Sequence, residues 1–282
     1  MATVAERVDI EPGEDRTVLV VVAHADDVAL FLGGTVIRWT DAGWRVVVVR
    51  VTDDRWDSVD LSAELTVEAA RRELVAAASV LGIDELIDLD YPTDTLGDAS
   101  EVELREHVIR LIRTLRPHTL VTFDPYGMFG EDNQDHLKVA AAVDEAFWTA
   151  QFDKHHPEHL AAGLEPHGVV ERWYFARRVM EVTDVVDVSA VIERKVEAVL
   201  CHHTAMVNYM HQLILQARTA GLRVPVLENA RAGALRPVLE PFVAEGARRV
   251  GRRHGLDMAE EFRVVRLGGL AEWFADHGVP LG

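Results

Sequence analysis

Five consecutive residues near the start of the chain read Ala23-His24-Ala25-Asp26-Asp27. An imidazole and two carboxylates this close together can divide labour. One carboxylate can hold a metal with the histidine while the other stays free as a base. A second polar cluster runs Asp124-Pro125-Tyr126-Gly127-Met128-Phe129-Gly130-Glu131-Asp132-Asn133-Gln134-Asp135-His136, with two glycines, a proline and four acids. His24, Asp27 and His136 together would make a two-histidine, one-carboxylate metal site with open positions. That donor set suits zinc hydrolysis chemistry and also non-haem iron. Taken singly, each cluster has a plain alternative: a capped loop for the first, an acidic helix start for the second.

The clusters matter jointly only if the fold brings them together. Thr17–Ala23 (TVLVVVA) and Arg45–Thr52 (RVVVVRVT) are apolar, β-branched runs, expected of strands buried on both faces of a parallel sheet. Glu85–Leu89 and Thr119–Phe123 read as further strands. Helices are predicted over Ala29–Ala42, Val67–Leu81 with Gly82 to end it, Glu101–Leu115 before Pro117, and Leu137–Thr149. This alternation implies right-handed βαβ units. In such open sheets ligands bind beyond the carboxyl ends of the strands. Both clusters directly follow predicted strands, so they meet on one rim. Gly33-Gly34-Thr35 falls inside the first helix, where glycine costs about 1 kcal/mol relative to alanine and so implies close packing.

The second half is less regular. Gln151–Gly168 reads as a surface excursion whose His155, His156, His159 and His167 are expected to be solvated rather than a second metal site. Trp173–Val179 and Val185–Val188 read as strands or sheet edges, with Trp173, Tyr174 and Phe175 in the core. Ala190–Gly221 reads as one or two helices, Phe262–Leu267 as a late strand and Leu270–His277 as a short helix. No linker-like stretch divides the chain, so one domain is expected over residues 1–282, with 1–16 as a flexible lead-in.

Composition narrows the partners. Against 29 Lys+Arg stand 47 Asp+Glu, a net charge of -18, which disfavours nucleic acid and anionic lipid surfaces. The single cysteine, Cys201, excludes an intrachain disulfide and a Cys-rich zinc module, and fits a cytoplasmic location. No apolar run approaches ~18 residues, and the acidic lead-in is unlike a secretory signal.

AHADDVALFLGGT resembles the AHPDD-x-x-L-x-x-GGT signature of the PIG-L/LmbE-like zinc deacetylases. Their second signature, H-x-D-H, stands here as Asn133-Gln134-Asp135-His136. Arg72-Glu73 to Leu81-Gly82, Lys195–Thr204 (KVEAVLCHHT) and Glu261–Arg266 (EFRVVR) extend the similarity, in order, over nearly the whole chain. The resemblance implies a Rossmann-like α/β three-layer sandwich with a mostly parallel sheet and a helical C-terminal portion over the rim. It implies one Zn2+ per chain on His24, Asp27 and His136, with Asp26 as general base and Asp135 as a supporting carboxylate. The implied reaction is hydrolysis of an N-acyl, typically N-acetyl, amide on an amino sugar or its conjugate. The partner is then a small N-acylated molecule, and either a monomer or a homo-oligomer fits. The alternatives are an amidase of larger conjugates and a metal-binding member with little hydrolysis. A nucleotide-binding fold is disfavoured because no G-x-G-x-x-G follows the first strand.

The departures from the signatures are informative. Asn133 replaces a histidine, and asparagine can donate an N–H but cannot supply a proton. His202, ahead of His203, is the candidate to take over that work. Ala25 replaces the common proline, which is expected only to loosen the turn. Asp53 and Arg55 after the second strand are candidates to touch substrate, while Asp54 reads equally as a solvated turn. Tyr126 and Phe129 could stack on a sugar ring or simply plug the loop.

Overall fold

The computed structural model describes residues 5–127 and 130–279. Its strands are β1 (Glu6–Arg7), β2 (Thr17–Val22), β3 (Arg45–Thr52), β4 (Glu85–Tyr91), β5 (Thr119–Phe123), β6 (Glu171–Phe175), β7 (Asp184–Asp187) and β8 (Ala259–Arg266). They form one sheet in the order β1-β7-β8-β6-β5-β2-β3-β4. Five of the seven pairings are parallel, and β8 runs antiparallel to both its neighbours.

The unbroken apolar runs of β2 and β3 follow from burial on both faces. Val18, Val20, Val22, Val46 and Val48 face the layer of α1 (Gly33–Asp41), α6 (Ile192–Cys201), α7 (His203–Thr219) and α9 (Arg236–His254). Leu19, Val21, Val47, Val49 and Val51 face α3 (Glu101–Leu115) and α4 (Gln134–Thr149). This is the expected three-layer α/β sandwich. Chain order reverses at β2, with β3 on one side and β5 on the other. Crevices at such a reversal are where open α/β sheets bind ligands. The loops after β2 and β5 both open there.

Several elements differ from expectation. The predicted helix Ala29–Ala42 begins as a wide π-helical turn, Val28–Leu32, and becomes α-helical only at Gly33. Within the lead-in, residues 5–16 are docked: β1 pairs with β7, and the Trp44 indole N–H donates to the Glu11 carbonyl at 2.7 Å. The excursion after α4 holds a short helix, α5 (Pro157–Ala161). Its His159 is fully buried between Glu106 (2.6 Å) and Arg113 (3.2 Å), so it is a structural histidine rather than a solvated one. α2 (Ala63–Leu81) starts four residues early, behind the Ser62 cap. Two helices without a clear sequence signal, α8 (Pro225–Arg231) and α9, cover residues between the late motifs.

The glycine pair has a specific cause. Glu260, buried on β8, accepts from the Gly34 amide (2.9 Å), the Thr35 amide (2.8 Å) and the Thr35 hydroxyl (2.6 Å). Lys195 on α6 completes the cluster with an ion pair at 2.6 Å. Amides of a helix start favour a carboxylate, and their capture by Glu260 coincides with the change from π to α winding. A Cβ on Gly34 would lie 2.6 Å from Val188, so no larger residue fits. Both charges of the Lys195–Glu260 pair are almost wholly buried. Removing one partner of such a pair typically costs about 3–5 kcal/mol. Glu260→Ala is therefore expected to lower unfolding free energy by about that amount in urea titration, and Glu260→Gln, which also leaves the Lys195 charge buried without its counter-ion, to be destabilising as well.

Candidate metal centre

The turn after β2 is tied by its own backbone. The His24 amide donates to Asp27 Oδ2 at 2.8 Å, folding the Asp27 carboxylate back over the histidine. The Thr52 amide and hydroxyl both reach the Ala23 carbonyl at 2.9 Å, so β3 holds the end of β2 in place. From the other side, α4 begins at Gln134 and presents His136 in its first turn. Phe123, the last residue of β5, stacks flat on the His136 ring at 3.9 Å and fixes its plane.

His24, Asp27 and His136 thus converge, with one donor atom from each lying within 4.8 Å of the others. His24 Nδ1 faces His136 Nε2 at 3.1 Å, and His136 Nε2 lies 3.3 Å from Asp27 Oδ1. All three residues are buried. Two ring nitrogens and a carboxylate aimed at one point match the donor set and number of a catalytic zinc site. Each histidine also meets a carboxylate through its other nitrogen. Asp135 Oδ2 lies 3.5 Å from His24 Nε2, and Glu131 Oε2 lies 3.1 Å from His136 Nδ1. Such outer carboxylates orient ligand imidazoles and raise their basicity. Asp135 is in turn held by the Asp94 amide (2.6 Å) and the Leu96 amide (3.4 Å).

Asp26 is buried beside this cluster, and its Oδ2 has no hydrogen-bond partner. It lines a small cavity with Asp54, Asp57, Glu73 and His202. His202 is buried, and its Nε2 is also unpartnered. Desolvation holds the His202 imidazole down to about 4, so it is neutral at physiological pH. The segment is positioned by Glu73, whose carboxylate accepts the Thr204 amide (2.9 Å) and hydroxyl (2.7 Å) where α7 starts. His203 is exposed.

The remaining candidates separate. Asn133 is the N-cap of α4, and its side-chain oxygen accepts the Asp135 amide at 2.9 Å, which leaves only its NH2 group for other work. Asp53 and Arg55 pair with each other beside the site, with Arg55 partly exposed. Tyr126 is turned elsewhere: its hydroxyl donates to Asp144 at 3.4 Å, eight residues and ~12 Å along α4 from His136. Phe129 lies outside the described residues. Asp54 is no solvated turn; it is buried against the Ala25 amide and Arg50.

Glu131, Asp57 and Tyr209 also belong to the neighbourhood, though sequence reasoning passed over them. Glu131 and Asp57 sit in loops that were already suspect. Tyr209 follows His202 by seven residues, two turns of one helix face, which is a legible signal. The Asp26 charge, followed by burial, raises the Tyr209 hydroxyl well above its usual value.

Comparisons with known proteins identify the family. The family model described as PIG-L, GlcNAc-PI de-N-acetylase, matches residues 19–147. The chain belongs to this family. A diacetylchitobiose deacetylase of Thermococcus kodakarensis is 31% identical over 198 residues, 69% of this chain and 72% of that protein. The 1D-myo-inositol 2-acetamido-2-deoxy-alpha-D-glucopyranoside deacetylase of a Mycobacterium species is 30% identical over 230 residues, 66% of this chain and 73% of that protein. The solved N,N'-diacetylchitobiose deacetylase of Pyrococcus horikoshii, in complex with its inhibitor MPG, superposes with a TM-score of 0.74 at 23% identity. It covers 96% of this chain and 89% of that one, and establishes a shared fold. No described helix is long and apolar enough to cross a membrane.

Proton binding at the metal-free site has a definite sign. Burial lowers His24 and His136, but the carboxylates of Asp135, Asp27 and Glu131 outweigh it and push them up to about 10 and about 9. Burial raises Asp26 to about 7. All three bind protons more tightly folded than unfolded, so their contribution to stability is lost as pH rises through these values. Asp27 and Asp135 are lowered and act only at acid pH. The thermal midpoint of the metal-free protein is therefore expected to fall between pH 6 and pH 9. Scanning calorimetry in chelator checks this, and a midpoint that climbs over that range contradicts it.

Proposed function

We propose that this chain is a zinc-dependent hydrolase that removes the acetyl group from the acetamide of an amino sugar or its conjugate, releasing acetate and a free amine. The observation that carries this reading is the unpartnered, buried Asp26 Oδ2 beside the converging His24, Asp27 and His136. Zinc held by those three residues would supply Lewis acidity, lowering the pKa of water and polarising an amide carbonyl.

The chain's own groups do the rest. Asp26 Oδ2 takes a proton from water as it attacks the carbonyl carbon, then returns it to the amine nitrogen as the C–N bond breaks. Asp135 and Glu131 keep the His24 and His136 rings turned inward. His202 stays neutral, so its part is to donate an N–H to the developing oxyanion, not to act as an acid. The NH2 of Asn133 is the second candidate donor. The Arg55 guanidinium, paired with Asp53, would hold sugar hydroxyls. The curated relatives named above are deacetylases of acetamido compounds, which supports this substrate class.

Asp26→Asn is expected to fold, bind zinc normally and lose ~10²–10⁴-fold in kcat, measured by acetate release from a panel of N-acetyl amino sugars. A panel in which ligands raise the thermal midpoint while none is turned over, with zinc present, would instead mark a binding protein. Separately, His202→Ala should reduce kcat by ~10²-fold or more with zinc content intact, and Asn133→Ala by less. Unchanged kcat in the His202 variant removes that residue from the reaction.

A further inference from the structure

We propose that Asp54, propped by Arg50, is the positioning residue that holds the His24–Asp27 turn in shape, doing for this chain what a proline ring does at position 25 of the signature it resembles. This role presupposes the hydrolytic reading of Asp26. Proline has no amide hydrogen; Ala25 has one. That hydrogen is shared between the two oxygens of Asp54, at 3.4 and 3.3 Å. The Ala25 peptide separates a metal-site histidine from Asp26, so its orientation sets where both side chains point. The preceding amide is already tied, His24 to Asp27. With Asp54 added, two successive amides of the turn are held by side chains.

The support beneath Asp54 is itself unusual. Arg50 lies in the buried part of β3 and is only 1% exposed. Its Nη1 donates to Asp54 Oδ2 at 2.9 Å, and its Nε to Asp88 on β4 at 2.8 Å. Arginine is almost never fully buried unless paired, and here the pairing aims Asp54 at Ala25. Asp54 adopts φ +59, a left-handed conformation that glycine takes most easily and aspartate tolerates. That conformation comes with a buried carboxylate beneath the Ala25 amide. The turn is therefore braced, not loosened, by the exchange of proline for alanine.

The test is a double-mutant cycle on the full chain. D54A and D54N are made alone and together with A25P, and each is read by kcat, KM, bound zinc and thermal midpoint. D54A is expected to lower kcat by ~10–100-fold with zinc and KM near wild type, the scale of an ångström-sized misplacement of reacting groups. D54N, whose side-chain oxygen can still accept the Ala25 amide, should recover most of that loss. Combined with A25P, D54A should cost less than about threefold relative to A25P alone. An equal D54A penalty in both backgrounds overturns the proposal, since substrate contact or general stability would act regardless of residue 25. Wild-type kcat in D54A, or failure of A25P to fold, also overturns it. If D54A does not fold, R50K is read the same way: a loss that A25P suppresses supports the proposal, and an equal loss refutes it. If the wild-type chain releases no acetate, the hydrolytic reading fails separately. The thermal midpoints then decide, because D54A must lower the midpoint more alone than beside A25P.

Discussion

A single buried carboxylate joins the two halves of this protein. Glu260 arrives on β8 from the C-terminal part of the chain and takes the first amides of α1, with Lys195 of α6 against its other side. The His24–Asp27 turn runs through the π-helical turn directly into that helix start. Anything that frees the helix start loosens one end of the turn, whose other ties run to Thr52 and Asp54. The Gly-Gly-Thr signature, the lysine of the Lys195–Thr204 segment and the late strand look unrelated in sequence, yet they are parts of one clasp. None needs to touch substrate to matter for the reaction.

Around the two central histidines the chain crowds Asp27, Asp54, Asp57, Asp135 and Glu131, with Asp26 beside them. Like charges at this density would repel if all were ionised and unpaired. Arg50 neutralises one side of the cluster, and in the metal-free protein protons on the histidine pair, whose facing nitrogens lie 3.1 Å apart and share one hydrogen between them, offset part of the middle. A divalent cation would replace those protons, so metal and proton compete for the same groups. The excess of acid is thus a property of the binding centre as well as of the surface.

The parts of the site that were legible in sequence share one trait: they follow buried strands as short polar runs. His24, Asp26 and Asp27 stand out because an apolar run, Val18–Ala23, directly precedes them, and His136 because it closes the polar loop that follows Phe123. Asp53 and Arg55 were found by the same rule. Lys195 and Glu73 lie in segments that carry resemblance, and Glu260 lies just before one, but none shows its reason in sequence, because their partners, a buried carboxylate and helix-start amides, are supplied only by the tertiary fold. Asp54 was misread because a carboxylate after a strand is usually solvated, and only the Ala25 amide and Arg50 make it a buried one. Among the elements, the parallel core was clear from unbroken β-branched runs. α9 was not, because its buried stripe is narrow—Leu239, Val243, Ala247 and Gly251—and most of its other positions are charged or small. Tyr126 was placed by its loop, whereas Asp144 and Arg263 draw it away from the metal side.

The clasp also sets an order of events during synthesis. Gly34 and Glu260 are separated by 226 positions, so a ribosome adding about 5–20 residues per second needs on the order of 10–45 s between them. Through that interval the first βα unit exists without the carboxylate that seats its helix. The parallel strands can associate and Thr52 and Asp54 can tie the histidine turn, but the helix start that follows it has no fixed seat until β8 has been made. The start of α1 is therefore among the last parts of the fold to be fixed, and it is fixed together with the whole sheet.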